Sequence, residues 1–431
     1  MIILIISISI INININININ KQVGYNMKPL ATLLISSMIT LTLSACSSDS
    51  SDKSVDTEDI KENHVNMAYA AYSDSLVAAE SLQSAVTDFI ATPTENNLSA
   101  AKAAYKALRI PYQQSEIMRW DTAITLDFNL DLDGGPASVD EWEGQVNAWP
   151  LDENHIVDII QGSDTIGRDL LLAQNGADDN EANVTTGIHA VEFMLWGADT
   201  HGVNAGSGER PATDFALSGS CADSYCQRRA DYLQAATELL VDDLTSMAAE
   251  WSPAATNTQG TLAYNFLQSP LAIDYMLGAM RAMATDELAS ARMSSGLTLG
   301  DPEEEHDCFS DLSHLAIYYN FQGVRNVFFG QYNTVSGTSL ADLVRYKDPI
   351  SYNRFVEALD SIELKMQYLL DIGERETNPI RFDQIIGQEA SGDERQVAES
   401  AVDELIDLDS QFNSLKELLS LREISTDGDS D

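Results

Sequence analysis

Between residues 58 and 422 the apolar side chains return every three or four positions in stretch after stretch, and hardly anywhere do they alternate by twos. That period belongs to the helix and not to the strand. The chain is therefore expected to be all-α, built from long amphipathic helices that each bury one stripe against a neighbour. Val65, Ala68, Tyr72, Leu76 and Ala79 form one such stripe and predict a helix over 58–90. Pro93 ends it, Thr94 is placed to cap a second helix, and that helix runs through Ala100 to about Trp120 with a kink expected at Pro111. Residues 127–150 read as loop. Shorter helices are predicted over 152–160, 164–173 and 181–196, with an irregular loop over 197–221. Long helices follow over 225–250, 259–294, 303–329, 350–374 and 393–422, with Pro253, Pro302 and Pro349 near helix starts, where proline is tolerated. Long helices on short loops predict antiparallel packing. The expected architecture is two bundle halves, 58–245 and 246–423, compatible with a diverged duplication.

The N-terminus carries two unlike segments. Residues 1–26 open with an Ile/Asn/Ser low-complexity run and are read as a non-native upstream extension. Residues 27–45 have the form of a lipoprotein signal peptide: Lys28 supplies the positive flank, Leu30 to Leu43 the apolar region, and Leu43-Ser44-Ala45-Cys46 the small residues before a cysteine. The apolar run is short for a bilayer span. Cys46 is accordingly expected to be lipidated, with 46–57 as a polar tether. The protein would then face the periplasm from the cell envelope, with Ser47 favouring the outer membrane over the inner.

The formal charge is −43, from 67 acidic and 24 basic residues. An excess of acid this large argues against nucleic acid and anionic lipid surfaces as partners and leaves a lipid anchor as the expected membrane attachment. It suits a well-solvated surface, and also the attraction of cations. Of the four cysteines, Cys221 and Cys226 flank a short loop and are expected to pair, ahead of any pairing of Cys308.

Residues 187–197, GIHAVEFMLWG, carry the chemistry. Only His189 and Glu192 are polar between the two glycines, on a stretch apolar all round, which predicts a buried helix. Three residues apart, both side chains leave one face. A buried carboxylate needs compensation. Imidazole with carboxylate suits iron or zinc; a neighbouring arginine would serve as well, and the spacing supports both readings.

GIHAVEFMLWG resembles the Gly-x-His-x-x-Glu signature of imelysin-like proteins. RIPYQQSEIMRWD (109–121) resembles that family's Arg-x-x-Tyr-x-x-x-Glu helix, and NAWPLDE (147–153) its Asn-Ala-Trp-Pro-Leu-Asp-Glu turn. EEEHDCFSDLSH (303–314) is similar to the Glu-His-Ser-Cys-Phe-Ser-Asp-Asn-Thr-His stretch of the iron-regulated protein A branch. The likeness spans about residues 60–420. It departs at Ala289-Ser290-Ala291-Arg292-Met293, where that branch has Ser-Gly-Glu-Arg-Met. The resemblance implies a two-part helical fold with a site between its parts and a role in bacterial iron acquisition; some relatives carry a metallopeptidase label.

The expected function is therefore an envelope lipoprotein for iron uptake or handling that binds a metal ion or a metal-containing ligand, alongside envelope iron-uptake components. Iron is the first choice, with zinc or another divalent metal behind it. His189 and Glu192 are the expected metal ligands, followed by Glu116, Asp152 and His314, with Arg109, Arg281 and Asp311 as ligand-binding residues. Several of these have ordinary readings as well. Asp152 and Glu153 fit helix-start acids, and Asp274 with Arg281 fits an ion pair on one helix face. His306, Asp311 and His314 form a further polar group. Two other readings stand beside metal binding: a metallopeptidase using His-x-x-Glu, which lacks the second histidine of a His-Glu-x-x-His helix, and a non-catalytic docking lipoprotein.

Overall fold

The computed structural model describes residues 54–119, 142–216, 221 and 223–422. The upstream extension, the signal peptide, Cys46 and most of the tether lie outside these residues. Ser54 onward forms one compact unit, and helices account for nearly all of its regular structure, as the periodicity requires. Helix α1 (Thr57–Ala91) begins where Asp56 accepts a hydrogen bond from the Glu58 amide. α2 (Glu95–Ser115) is capped by Thr94 and ends in a 3-10 turn, Glu116–Met118. Pro111 is accommodated inside α2 without ending it.

Short helices follow: α3 (Glu143–Val146), α4 (Glu153–Gln161), α5 (Arg168–Gln174) and α6 (Gly187–Trp196). α7 (Cys226–Glu250) packs along α1, and α1 along α2, so that Ala68, Tyr72, Leu82, Val86 and Phe89 are fully buried. Later in the chain come α8 (Leu262–Gln268), α9 (Ala272–Arg281), a π-helical continuation over Ala282–Ser294, and α10 (Ser295–Leu299). α11 (Ser313–Phe329), a hairpin of two-residue strands (β1, Gln331–Tyr332; β2, Val335–Ser336), α12 (Leu340–Lys347), α13 (Pro349–Gly373), α14 (Phe382–Ile386) and α15 (Asp393–Leu419) complete the chain. α11 packs against both α2 and α13, which places it at the centre. No described helix is long and apolar enough to cross a membrane.

Three departures from the expected helices matter for the site. The stretch 259–294 is broken at Ser269-Pro270, because proline cannot continue α8. The stretch 181–196 becomes helical only at Gly187. Most consequentially, 303–329 is not one helix. Its first ten residues form a 3-10 turn and a loop, and α11 starts at Ser313. The Cys221–Cys226 disulfide is formed, and Cys308 is free and buried.

Candidate metal centre

Every residue of α6 is buried. Its first residue explains the leading glycine of the motif: Gly187 has φ +77°, and a Cβ there would lie 2.3 Å from the Val146 carbonyl oxygen. Glycine alone lets α6 start hard against the turn after α3. One turn on, His189 and Glu192 are both fully buried, with Nδ1 and Oε2 2.9 Å apart.

Glu192 is held from three sides. Tyr105 of α2 donates to Oε2 at 3.1 Å, and Ser310 donates to Oε1 through its backbone N–H (2.9 Å) and its hydroxyl (2.6 Å). With Nδ1–H of His189, each carboxylate oxygen accepts two hydrogen bonds. An ionised Glu192 fixes the imidazole tautomer: Nδ1 carries the proton and Nε2 the lone pair. That Nε2 is buried and makes no hydrogen bond. The His189 ring meets His306 edge-on at 4.5 Å between centroids and Trp149 at 5.1 Å. Atoms of His189, Glu192 and Asp307 lie within 4.8 Å of one another.

Charge is balanced by arginines. Arg109 of α2 ion-pairs with Asp307 at 2.7 Å and donates to Asn147 at 3.1 Å, all three side chains being buried. Glu116 is contacted by Arg292 (2.7 Å) and Arg119 (3.1 Å), and both arginines also pair with Glu287. Asn320 of α11 donates to Glu116 and accepts from Arg292. Glu287 and Arg292 both come from the π-helical run, a geometry often found at functional positions.

Burial pushes Glu192 up to about 7, against the pull of the Ser310 hydrogen bond and the Arg109 charge. Burial, with Arg109 nearby, holds His189 down to about 3. His306 is likewise held well below the ordinary histidine value by burial and by Arg292. Both imidazoles are neutral at physiological pH, the form that binds metal. A cleft of about 230 Å³ lies beside them, lined by Trp149, Pro150, Glu287, Ala291, Arg292, Ser295, Glu303, Glu304 and His306. Ala291, which stands where the iron-regulated branch has a glutamate, lies in its wall.

The expected site residues separate. His189, Glu192 and Arg109 come together, and Glu116 belongs to the adjoining arginine network. Asp152 does not join them: it is the N-cap of α4, accepting from the Asn154 amide at 2.9 Å. Arg281 pairs with Asp409 and is 40% exposed. His314 donates from Nε2 to the Glu374 carboxylate at 2.9 Å and does not join His189. Asp311 faces Arg381 and two other carboxylates. In place of His314, the loop before α11 brings His306, Asp307 and Ser310 to the motif.

Asp307 and Ser310 have no signal in a sequence that reads as helix over 303–312, and Tyr105 lies on a helix far away in the chain. One signal for Tyr105 is present: with Arg109, Gln113 and Glu116 it makes a polar stripe at spacings of four, four and three on a helix otherwise packed with apolar residues.

An all-α fold with a buried imidazole–carboxylate pair, braced by arginines beside a cleft, defines a helical protein with a candidate transition-metal centre. The family model described as Imelysin matches residues 68–412, and the chain belongs to that family. Among solved structures, it is similar to one from Parabacteroides distasonis named as a candidate iron-regulated protein A precursor, at 20% identity and a TM-score of 0.59. That match covers 84% of this chain and 94% of the other. It supports the helical fold. No curated protein matches the sequence.

Proposed function

We propose that this protein binds a transition-metal ion, iron first and zinc second, at His189 and the groups around it, as part of iron handling in the cell envelope. The observation that carries the reading is the Nε2 of His189: a buried imidazole nitrogen without a hydrogen bond, its ring fixed by Glu192. An unmet buried acceptor costs roughly 1–3 kcal/mol, so such an atom calls for a partner. Two imidazoles with a carboxylate, His189, His306 and Asp307 or Glu192, suit ferrous iron in particular. Carboxylates of Glu303 and Glu304 line the cleft and favour a cation entering it. The iron-regulated name of the structural relative and the Gly-x-His-x-x-Glu motif point the same way. Lipid anchoring through Cys46 and a periplasm-facing location remain part of the proposal.

Glu192 takes a different part from the one its spacing suggests. Four hydrogen bonds occupy its oxygens, so its first role is to orient His189; direct ligation would require Tyr105 or Ser310 to turn away. The same saturation leaves a peptidase reading without a ready base.

Calorimetric titration of the full chain with ferrous iron and zinc tests the proposal. Wild type should bind one equivalent, His189→Ala should lose that binding, and Glu192→Gln should weaken it about 10–100-fold, as loss of an orienting carboxylate does. A protonated Glu192 no longer holds the His189 proton on Nδ1, so affinity should rise as pH is raised through about 7. Equal binding by wild type and His189→Ala overturns the site. A His–Glu pair that is only structural predicts no binding and a sharp loss of thermal stability in His189→Ala.

A further inference from the structure

The loop that supplies Asp307 and Ser310 to His189 and Glu192 sends two other acids elsewhere. Glu305 and Asp311 meet Asp383 of α14, and one oxygen from each lies within 4.8 Å of the others. All three residues are 1% exposed. Neither oxygen of Asp383, neither oxygen of Asp311, nor Oε2 of Glu305 accepts a hydrogen bond. Asp383 therefore points a whole carboxylate, buried and without a side-chain donor, into the cluster. Relief is slight: Arg381 approaches Asp311 at 3.5 Å, and the hydroxyl of Ser313 and backbone amides at the start of α14 offset a little of the burial. No basic side chain pairs with Glu305 or Asp383 among the described residues.

We propose that Glu305, Asp311 and Asp383 form a second cation site, built for a hard divalent ion with calcium as the first choice. The ligand set is oxygen only, which selects calcium, magnesium or manganese over the softer metals suited to imidazole. Calcium lies roughly 2.3–2.6 Å from its oxygens, so ligands on one ion must lie within about 5 Å of each other, as these do. When ionised, three carboxylates against the single guanidinium of Arg381 carry a local charge of −2, the complement of one divalent ion. Asp199 adds further negative potential at Asp311 and Asp383. Without a cation, three buried carboxylates face one another with a single guanidinium, that of Arg381, at their edge. Calcium's tolerance for six to eight irregular ligands fits side chains drawn from a loop and a short helix, with water completing the shell.

The two sites share a loop but no ligand, and the test of this one is kept separate from that of the His189 centre. Full-chain protein is stripped with a chelator, and thermal melts at pH 8 and calorimetric titrations are run with calcium, magnesium and manganese. Wild type should melt higher with calcium and bind one equivalent. Asp383→Asn and Asp311→Asn should lose the calcium-dependent rise and bind calcium at least about tenfold more weakly, while His189→Ala keeps both. Stripped Asp383→Asn should melt no lower than stripped wild type, because it loses a charge that nothing compensates. The proposal is overturned if none of the three ions raises the wild-type melting temperature, or if Asp383→Asn responds to calcium as wild type does. It is also overturned if stripped Asp383→Asn melts well below stripped wild type, which would mark Asp383 as a structural acid that keeps its proton.

Discussion

Two buried polar clusters adjoin the loop before α11, and they solve the problem of buried charge in opposite ways. Around Glu116 and Glu287, Arg119 and Arg292 match the carboxylates in number, and Asn320 and Gln113 fill remaining hydrogen-bonding positions. Glu116 accordingly stays below the ordinary carboxylate value: burial would raise it, but Arg292 and Arg119 outweigh burial. Around Glu305, Asp311 and Asp383 one half-buried arginine faces three acids, and all three are pushed up. Burial is nearly the same in both. The difference is whether the counter-charge is in the chain, and a cluster without one is where an ion from outside has most to contribute.

The largest effect should come from breaking the compensated cluster. Arg292→Ala leaves Arg119 alone against Glu116 and Glu287 and should cost about 3–5 kcal/mol, the usual result of removing one partner of a buried pair; chemical denaturation measures it, and a loss below about 1 kcal/mol would show that the two clusters do not differ as described. The matching change in the acidic cluster, Asp383→Asn, should instead raise the stability of stripped protein at pH 8, by on the order of 1–3 kcal/mol.

A pH series sharpens the contrast without mutation. Carboxyls held above their unfolded values contribute stability that is complete below about pH 4 and lost as pH rises through the folded value, about 7 for Glu192 and Asp383 and about 8 for Asp311. His189, held down to about 3, and His64, to about 4, work the other way, losing stability only as pH falls below about 6.5. Between pH 6.5 and 8.5, stripped protein should therefore lose stability steadily, and calcium should flatten the decline. A flat profile without calcium contradicts the uncompensated cluster. The smallest effects belong to residues outside both clusters. Asp152→Ala should cost about 1 kcal/mol as a lost helix cap, and Arg281→Ala at most about 1 kcal/mol as a half-exposed pair. Neither should change metal affinity in titration.

The helical class, most helix limits and the His189–Glu192 pair were legible in the sequence because each leaves a local signature: a 3.6-residue period, a capping residue, or two polar side chains on an apolar face. The disulfide was legible for the same reason. The loop over 303–312 was not. Its acids and its place beside a proline read as a helix start, and only tertiary packing sends Asp307 and Ser310 to one side and Glu305 and Asp311 to the other. Read as one helix, 303–314 sets His306 and His314 about two turns apart and does not show that only His306 reaches the motif. Asp383, about seventy residues beyond Asp311, had no signal until α14 brought it there.

The π-helical run also bears on how the chain tolerates changes in length. Glu287 and Arg292 stand five residues apart, which on an α-helix is about 1.4 turns and leaves them on different faces. Hydrogen bonding to the fifth residue closes one turn at that spacing, and the two side chains meet at 3.2 Å. The wide turn acts as a built-in insertion. Deleting a single residue between them would regularise the helix, a local gain, yet it would carry Arg292 away from Glu116 and rotate everything downstream to Gly300. Alignments of related chains should therefore hold the number of residues between these two positions fixed, even where the residues themselves, such as Ala291, are free to vary.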